Sequence, residues 1–380
     1  MSLVKTLLFI LGTRPEAIKL SPLILHLRNS GNYNVRVCST GQHREIVAQA
    51  FRSFGVTPDI DLALMLPGQT LFQSTARILA ALEEVFTREK PDLTFVQGDT
   101  ATTFTGALAS FYARVPVAHI EAGLRTYNLA HPFPEEANRQ LTARITDLHF
   151  AATPWAADNL RQEGVNPAVI HVTGNTGIDA LFLMRKRIAE GLVEVPSWPW
   201  LDTNKRLILV TGHRRENFGA GFDSFARALA RLAARGDVQI CYPVHPNPNV
   251  REPVERILGN NPNVVLIPPQ DYVPFLDLMG RAHFLITDSG GVQEEGPSLG
   301  KPILVTREVT ERPEAVSAGT VRLVGTDEEK IVSEADLLLD NETEYKRRST
   351  LHNPYGDGQA CGRIQRVLDG GAAFSATNSA

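Results

Sequence analysis

The alternation of short apolar runs with amphipathic stretches most constrains how this 380-residue chain can fold. Apolar runs of this length are typical of buried strands, and the stretches between them have the periodicity of helices. Helices that connect consecutive strands are typical of βα units, which form parallel sheets. We therefore predict an α/β protein with strands at TLLFILG, YNVRVCST, LTFVQGD, VPVAHIEA and DLHFAAT, and then at VIHVTGN, RLILVTGH, VQICYPVHP, NVVLIPP, HFLITDS and PILVTRE.

Chain length predicts two domains. A chain of 380 residues is long for one domain and sufficient for two hydrophobic cores. We place the boundary near residue 171, with an N-terminal domain over 1–170 and a C-terminal domain over 171–360. The Pro- and Trp-containing stretch AEGLVEVPSWPWLDTNK is interpreted as a connecting region, and a helix at about 361–371 is expected to pack back on the first domain or on the second. Two Rossmann-like, doubly wound domains facing a cleft would bind ligands at the carboxyl ends of their strands.

Composition excludes several classes of protein. The net charge of −4 gives no sign of a nucleic-acid surface. The three cysteines lack CxxC spacing, which predicts neither a disulfide framework nor a zinc site. The apolar start TLLFILG is short and has no cleavage site, so it is predicted to be a buried strand, and no other segment approaches a membrane span. We expect a cytoplasmic protein with no metal and no membrane partner.

One turn in the first half follows a predicted strand and carries basic residues. In GTRPEAIK, Pro15 suits the first turn of a helix, and Arg14 and Lys19 could meet an anion. The alternative is an ordinary helix start with a surface arginine. Because GTRPEA is not GxGxxG, a nicotinamide dinucleotide has no support in this sequence.

Two turns in the second half have the same placement. TGHRREN groups His213 with Arg214 at the end of a strand, although an isolated histidine is more often structural. In TDSGGVQEE, Ser289 could cap the next helix, while Gly290 and Gly291 permit close approach of phosphate oxygens. Glu295 on that helix could accept hydrogen bonds from ribose hydroxyls. The alternative reading of Ser-Gly-Gly is a simple tight turn.

Three carboxylates follow strands or open a helix in the first half: Asp99, Glu121 and Glu135. A single carboxylate is usually a cap or a surface charge. Neighbouring strand ends could bring these three together, and Arg125 and Arg139 could hold them ionised or bind substrate. Carboxylates that share a cleft suit acid–base chemistry.

The order of long motifs resembles that of the non-hydrolysing UDP-N-acetylglucosamine 2-epimerases, from about Gly12 to Arg363. The motifs are GTRPEAIKLSPL, TGQHRE, QGDTATT, HIEAGLRT, PFPEEANR, TGNTGIDA, TGHRRENFG, PVHPNPNV, TDSGGVQEE and TERPEAVSAGT. The resemblance implies a glycosyltransferase-B-like fold, a homodimer and no cofactor. It also implies interconversion of UDP-GlcNAc and UDP-ManNAc through bound UDP and 2-acetamidoglucal, supplying ManNAc to bacterial surface polysaccharides.

The resemblance also implies roles for individual residues. Asp99, Glu121 and Glu135 match the catalytic carboxylates, and His213 would assist near the diphosphate. The nucleotide would contact Arg14, Lys19, Ser289, Gly290, Gly291 and Glu295, with Phe275 beside uracil. Activation by UDP-GlcNAc at a neighbouring site would involve Gln42, His43, Gln69, Arg214 and His245. Gly68 stands where some relatives carry Arg, so retention of that activation stays open.

Three other functions remain as alternatives at this point. A glycosyltransferase with the glycosyltransferase-B-like fold would share the diphosphate turn, but it would need an acceptor. A hydrolysing epimerase would release ManNAc and UDP. A non-catalytic nucleotide-sugar sensor would need the binding turn but not the three carboxylates.

Overall fold

The computed structural model describes residues 4–41, 44–66, 68–310 and 312–370. In this part of the chain, one domain comprises residues 4–189 and 355–370, and the other comprises 190–354. None of the helices in these ranges is both long and apolar enough to cross a bilayer.

The N-terminal domain is built on seven parallel strands. They are β1 (Lys5–Leu11), β2 (Tyr33–Ser39), β3 (Ile60–Asp61), β4 (Leu93–Gln97), β5 (Val117–Ala122), β6 (Leu148–Ala151) and β7 (Ile170–Val172). Their order in the sheet is β3-β2-β1-β4-β5-β6-β7. Its helices up to the second domain are α1 (Arg14–Ser30), α2 (Arg44–Phe54), α3 (Leu71–Glu89), α4 (Ala101–Tyr112), α5 (Glu135–Arg144), α6 (Pro154–Gln162) and α7 (Thr176–Ala189).

The C-terminal domain repeats this plan with six parallel strands. They are β8 (Arg206–Thr211), β9 (Val238–Pro243), β10 (Val264–Ile267), β11 (Phe284–Thr287), β12 (Ile303–Val305) and β13 (Val321–Leu323), in the order β10-β9-β8-β11-β12-β13. The helices are α8 (Ala220–Ala233), α9 (Pro248–Leu258), α10 (Tyr272–Arg281), α11 (Gly290–Glu295), α12 (Pro313–Ala318), α13 (Glu328–Asp340) and α14 (Glu342–Ser349). Short 3-10 turns occupy Pro167–Val169, Arg215–Asn217 and Gly296–Leu299.

Central strands are buried on both faces, which explains why their sequences are nearly continuous apolar runs. Leu7 through Leu11 of β1 have no exposed surface, and Phe9 stacks on Phe95 of β4 at 4.5 Å between ring centres. In the second domain, β8 packs on Phe222 and Phe225 of α8. In the first sheet, β2 and β3 lie on one side of β1, and β4 to β7 lie on the other side. The second sheet has the same reversal about β8. Open α/β sheets form a crevice at such a reversal, and ligands are expected there, so the two positions to inspect lie between β1 and β4 and between β8 and β11.

Each apolar run that we predicted as a strand contains one. The predictions omitted β3 and β13, because two or three residues at a sheet edge give too short a pattern. The predicted boundary near residue 171 is wrong. It falls inside β7, which pairs with β6 through His149 and Ile170 and so completes the first sheet. The apolar run VIHV does not indicate which sheet it joins, and α7 extends the first domain to residue 189.

The helix expected at about 361–371 is α15 (Ala360–Asp369), and it belongs to the N-terminal domain. The carboxylate of Asp179 on α7 accepts hydrogen bonds from the backbone amides of Ala360 (3.2 Å) and Cys361 (3.0 Å). Burial raises the pKa of Asp179 above its usual range, and these amides oppose the rise. One buried side chain therefore caps the last helix from a position far away in the sequence.

We expect Asp179→Ala to loosen α15, because two helix-terminal amides would lose their acceptor. A loss of about 1–3 kcal/mol corresponds to amide exchange faster by roughly 5- to 150-fold. Hydrogen–deuterium exchange of peptides covering 360–369 measures this change. Asp158→Ala is the matched control, since Asp158 forms an exposed ion pair with Arg161 on α6. Equal protection of α15 in both variants would contradict the assigned cap.

Candidate active site

A buried carboxylate joins the two turns at the N-terminal crevice. Glu16 on α1 accepts hydrogen bonds from the amides of Gly12 (3.0 Å) and Thr13 (2.6 Å), and from the hydroxyl of Thr100 (2.7 Å). Burial raises the pKa of Glu16, and these hydrogen bonds limit the rise. The turn after β1, which carries Arg14, is thus fixed to the turn after β4. Our site predictions missed Glu16, although the spacing Thr13-x-x-Glu16 is that of a capping box.

Glu121 has the most unusual backbone among the predicted site residues. Its φ is +64°, and the register of β5 against β6 shifts between residues 120 and 122. A residue with a side chain adopts this conformation only at a cost of about 1–3 kcal/mol. The Glu121 carboxylate accepts a hydrogen bond from Gln97 (3.1 Å) and forms an ion pair with Lys19. Lys19, predicted to meet an anion, therefore contacts an anion of the protein itself.

Asp99 lies in the turn after β4 and is held by α5. One of its carboxylate oxygens accepts hydrogen bonds from Arg139 Nε (2.9 Å) and Nη2 (2.7 Å). Its backbone carbonyl accepts a third hydrogen bond from Asn138 (2.9 Å). Arg139 is the partner we expected for a carboxylate, and the structure brings the two together.

Glu135 and Glu136 open α5 and have different surroundings. Glu136 is fully buried, and burial favours a higher pKa. Hydrogen bonds from Gln140, from the amides of Thr126 and Tyr127, and from Arg139 outweigh burial and lower the pKa. Glu135 is partly buried, and its carboxylate makes no hydrogen bond or ion pair with the described residues. Of the two neighbours, Glu135 is therefore the candidate for proton exchange with a ligand.

The expectation for Arg125 needs correction. Its side chain is completely buried and forms a two-pronged ion pair with Glu163, directly after α6, at 2.6 and 2.9 Å. A third guanidinium nitrogen donates to the carbonyl oxygen of Leu124. The guanidinium of Arg125 thus has a structural role and does not face a ligand. The sequence offered no sign of this, because Glu163 is 38 residues away.

His119, which we did not predict, supports the turn that carries Asp99. Its Nε2 donates a hydrogen bond to the carbonyl oxygen of Gly98 at 2.7 Å. Burial lowers the pKa of His119 to about 4, so the ring is neutral at neutral pH. A neutral imidazole with its proton on Nε2 is the form that this hydrogen bond requires.

The C-terminal crevice also depends on a buried carboxylate. Asp288, directly after β11, accepts hydrogen bonds from the amides of His213 and Arg214, both at 2.7 Å. The turn after β8 is thereby fixed to the turn after β11. The ring of His213 stacks on that of His245 with 5.6 Å between centres, and about half of the His213 side chain is exposed.

The Ser-Gly-Gly turn begins α11, a helix of six residues. Ser289 occupies the N-cap position, but its hydroxyl makes no capping hydrogen bond there, so that part of the prediction is wrong. Its amide instead donates to Thr287 Oγ1 (2.9 Å). A methyl group on Gly290 would lie 2.4 Å from the guanidinium of Arg312, so an alanine there would require that guanidinium to move. Arg312, which we did not predict, is anchored by Glu294 at 2.7 Å.

Glu295 lies close to the first turn of α10. Burial raises the pKa of the Tyr272 phenol well above its usual range, and the charge of Glu295 adds to the rise. Phe275 follows one helical turn after Tyr272 and is partly exposed. The predicted ribose and uracil contacts are therefore residues of the same domain as the Ser-Gly-Gly turn.

The predicted regulatory residues are only partly described. Gln42 and His43 lie outside the described residues. Gln69 bonds within its own loop, to the amide of Leu66 (3.0 Å) and the carbonyl of Leu64 (3.3 Å). Gly68 has a φ of +73°, a conformation that favours glycine over a residue with a side chain. Arg214 and His245 lie beside His213 in the other domain.

No group of three or more His, Cys, Asp or Glu side chains within the described ranges has the arrangement of a metal site. The side chains at the two crevices are instead carboxylates with basic or amide partners in the first domain, and His, Arg and a glycine turn in the second. Such a set can transfer protons and stabilise a phosphate-type leaving group.

Comparison with known proteins identifies the family. A family model for UDP-N-acetylglucosamine 2-epimerase matches residues 25–369. The chain is 54% identical over 368 residues to UDP-N-acetylglucosamine 2-epimerase of Salmonella typhimurium, covering 95% of this chain and 97% of the relative. It is similar to the crystal structure of UDP-GlcNAc 2-epimerase from Neisseria meningitidis bound to UDP-GlcNAc, with a TM-score of 0.88 and 44% identity over 96% of this chain and 100% of that one.

A more distant likeness concerns the fold alone. A glycotransferase of kitacinnamycin is 14% identical with a TM-score of 0.65, and the match covers 96% of this chain and 98% of that one. The two parallel-sheet domains are accordingly those of a glycosyltransferase-B-like fold. Together with the match over nearly the whole length, these findings show that the chain belongs to the UDP-N-acetylglucosamine 2-epimerase family.

Proposed function

We propose that this protein interconverts UDP-GlcNAc and UDP-ManNAc by eliminating UDP and adding it back. The observation that carries the proposal is Glu121, whose unfavourable backbone is held between Lys19 and Gln97 beside the turn of Asp99. Strained residues cluster at active sites, because surrounding contacts must hold a reactive group in place. Family membership supports the same substrate class. The product would supply ManNAc units for surface polysaccharides.

The chemistry of C2 explains why carboxylates are needed. No carbonyl neighbours C2 of the N-acetylhexosamine, so its proton is not acidic enough for simple exchange. Suppose that a base removes that proton while the C1–O bond breaks. The electron pair of the C2–H bond then forms the C1–C2 double bond, and UDP leaves with the electron pair of the C1–O bond. The products are 2-acetamidoglucal and UDP. Protonation of C2 from the opposite face, with return of UDP to C1, gives the epimer without any net oxidation.

We propose that the two domains supply different parts of this reaction. Asp99, Glu121 and Glu135 provide the proton-transfer groups, and Glu135 is supported because none of the described residues pairs with its carboxylate. Anion stabilisation comes from the second domain, where His213, the Ser-Gly-Gly turn and Arg312 are grouped around two fixed turns. Glu295 and Phe275 would hold ribose and uracil.

The first test follows the C2 hydrogen. Pure protein is incubated with UDP-GlcNAc in deuterated water, without acceptor, metal or NAD. We expect UDP-ManNAc carrying deuterium at C2, because the C–H bond breaks and is remade, and mass spectrometry and NMR detect it. Accumulation of free ManNAc and UDP would identify a hydrolysing epimerase. Turnover only with an added acceptor would identify a glycosyltransferase.

The second test removes each carboxylate while keeping its size. Asp99→Asn, Glu121→Gln and Glu135→Gln should each lower kcat by about 100-fold or more, since a proton-transfer group is lost. Glu84→Gln on the exposed side of α3 is the control and should retain wild-type kcat. Circular dichroism checks that the variants fold. Near-normal turnover in all three variants would reduce these residues to structural charges.

The third test concerns the nucleotide. Glu295→Ala should weaken binding of UDP by about 10-fold or more, since hydrogen bonds from ribose hydroxyls to a carboxylate would be lost. Titration calorimetry with UDP measures the affinity. Glu255→Ala, which removes an exposed charge from α9 of the same domain, is the comparison. The same UDP affinity in both variants would refute the ribose assignment.

A further inference from the structure

Asp288 has one carboxylate oxygen whose function the fold does not explain. The residue is fully buried, and its Oδ2 accepts the two amides of the turn after β8. Its Oδ1 is also buried, and no hydrogen bond reaches it from the described residues. A buried carboxylate oxygen without a donor is costly, so its retention calls for a partner. Oδ1 faces His213 Nδ1 at 3.5 Å.

We propose that Asp288 is a positioning residue for His213, holding a proton on Nδ1 of the imidazole. The present separation is longer than a good hydrogen bond, and such contacts often shorten when a ligand binds. The side chain of His213 is 48% exposed, which leaves it room to adjust, whereas that of Asp288 has no exposed surface. With Nδ1 committed to Asp288, Nε2 is the ring nitrogen left for a ligand.

This arrangement would matter for the departing diphosphate, and in that respect the inference rests on the proposed function. An imidazole with a carboxylate at Nδ1 and a phosphate oxygen at Nε2 carries protons on both nitrogens, since each anion accepts one N–H. His213 would then offer a charged donor to the oxygen on which negative charge develops as the C1–O bond breaks. Asp288 itself touches no reacting atom.

The neighbouring histidine provides an internal control. His245 stacks on His213, but its Nδ1 accepts a hydrogen bond from the amide of Asn247 at 3.2 Å. His245 must therefore be the Nε2–H tautomer when neutral, whereas the proposal makes neutral His213 the Nδ1–H tautomer. Two stacked imidazoles would carry their protons on different ring nitrogens.

Nitrogen NMR of ¹⁵N-histidine-labelled wild-type protein tests this prediction without ligand. His213→Gln and His245→Gln identify the two sets of signals. We expect a protonated Nδ1 for His213 and a protonated Nε2 for His245 at a pH where both rings are neutral. An Nε2–H tautomer for His213 would overturn the proposal. Because no turnover is involved, the result does not depend on whether the epimerase activity is found.

A double-mutant cycle tests whether Asp288 acts through His213. Asp288→Asn can still accept the two turn amides, but its NH₂ group would donate to Nδ1 and favour the wrong tautomer. We expect kcat for epimerisation to fall by about 10- to 100-fold in the wild-type background, and by less than about 2-fold in the His213→Gln background.

Equal losses in both backgrounds would overturn the positioning role and leave Asp288 as a support for the turn. If Asp288→Asn does not fold, the tautomer measurement on the wild-type protein still decides the question. A wild-type protein without epimerase activity would count against the proposed function alone.

Discussion

The organisation of both crevices depends on a buried carboxylate that binds two consecutive backbone amides. Glu16 does this for the turn after β1, and Asp288 does it for the turn after β8. In each domain the bonds fix the turn that carries the basic side chains. Removing Glu16 would leave two buried amides without acceptors, at a cost of about 1–3 kcal/mol each, and removing Asp288 would do the same to two partly buried ones at a smaller cost. The carboxylate comes from the helix that follows the turn in one domain, and from the residue after the neighbouring strand β11 in the other. The shared arrangement therefore leaves no sequence repeat.

The carboxylates near the N-terminal crevice differ in the partners that surround them. Glu136 accepts hydrogen bonds from several donors and anchors the start of α5, while the carboxylate of its neighbour Glu135 has no partner among the described residues. Asp99 is oriented by Arg139, and Glu121 by Lys19 and Gln97. Under the proposed function, a structural carboxylate and a reactive one are therefore direct neighbours at the start of α5. Rigidity at Glu136 permits Glu135 to remain available at a fixed position.

Local sequence patterns predicted much of this architecture. They could not predict contacts between residues that are distant in the sequence. Apolar runs predicted the strands, and strand ends predicted where Asp99, Glu121 and His213 lie. The burial of Arg125 depends on Glu163, and the importance of Arg312 depends on its approach to Gly290, which only the folded chain reveals. The predicted domain boundary was wrong for the same reason. The domain to which β7 belongs is decided by its pairing with β6, which the sequence does not show. The motif that contains Arg312 was visible, but its spacing suggested no chemistry.

The return of α15 to the first domain has a consequence for biosynthesis. Residues 190–354 form a continuous domain, whereas the domain with the carboxylates is made from two separate segments of the chain. A ribosome synthesises the whole second domain before it makes the helix that Asp179 caps. Until then, the face of the first domain that α15 covers stays exposed. The N-terminal domain therefore completes its packing only after the C-terminal domain has been synthesised. Dependence on α15 would delay formation of a fully packed carboxylate-bearing domain until residue 369 has been synthesised.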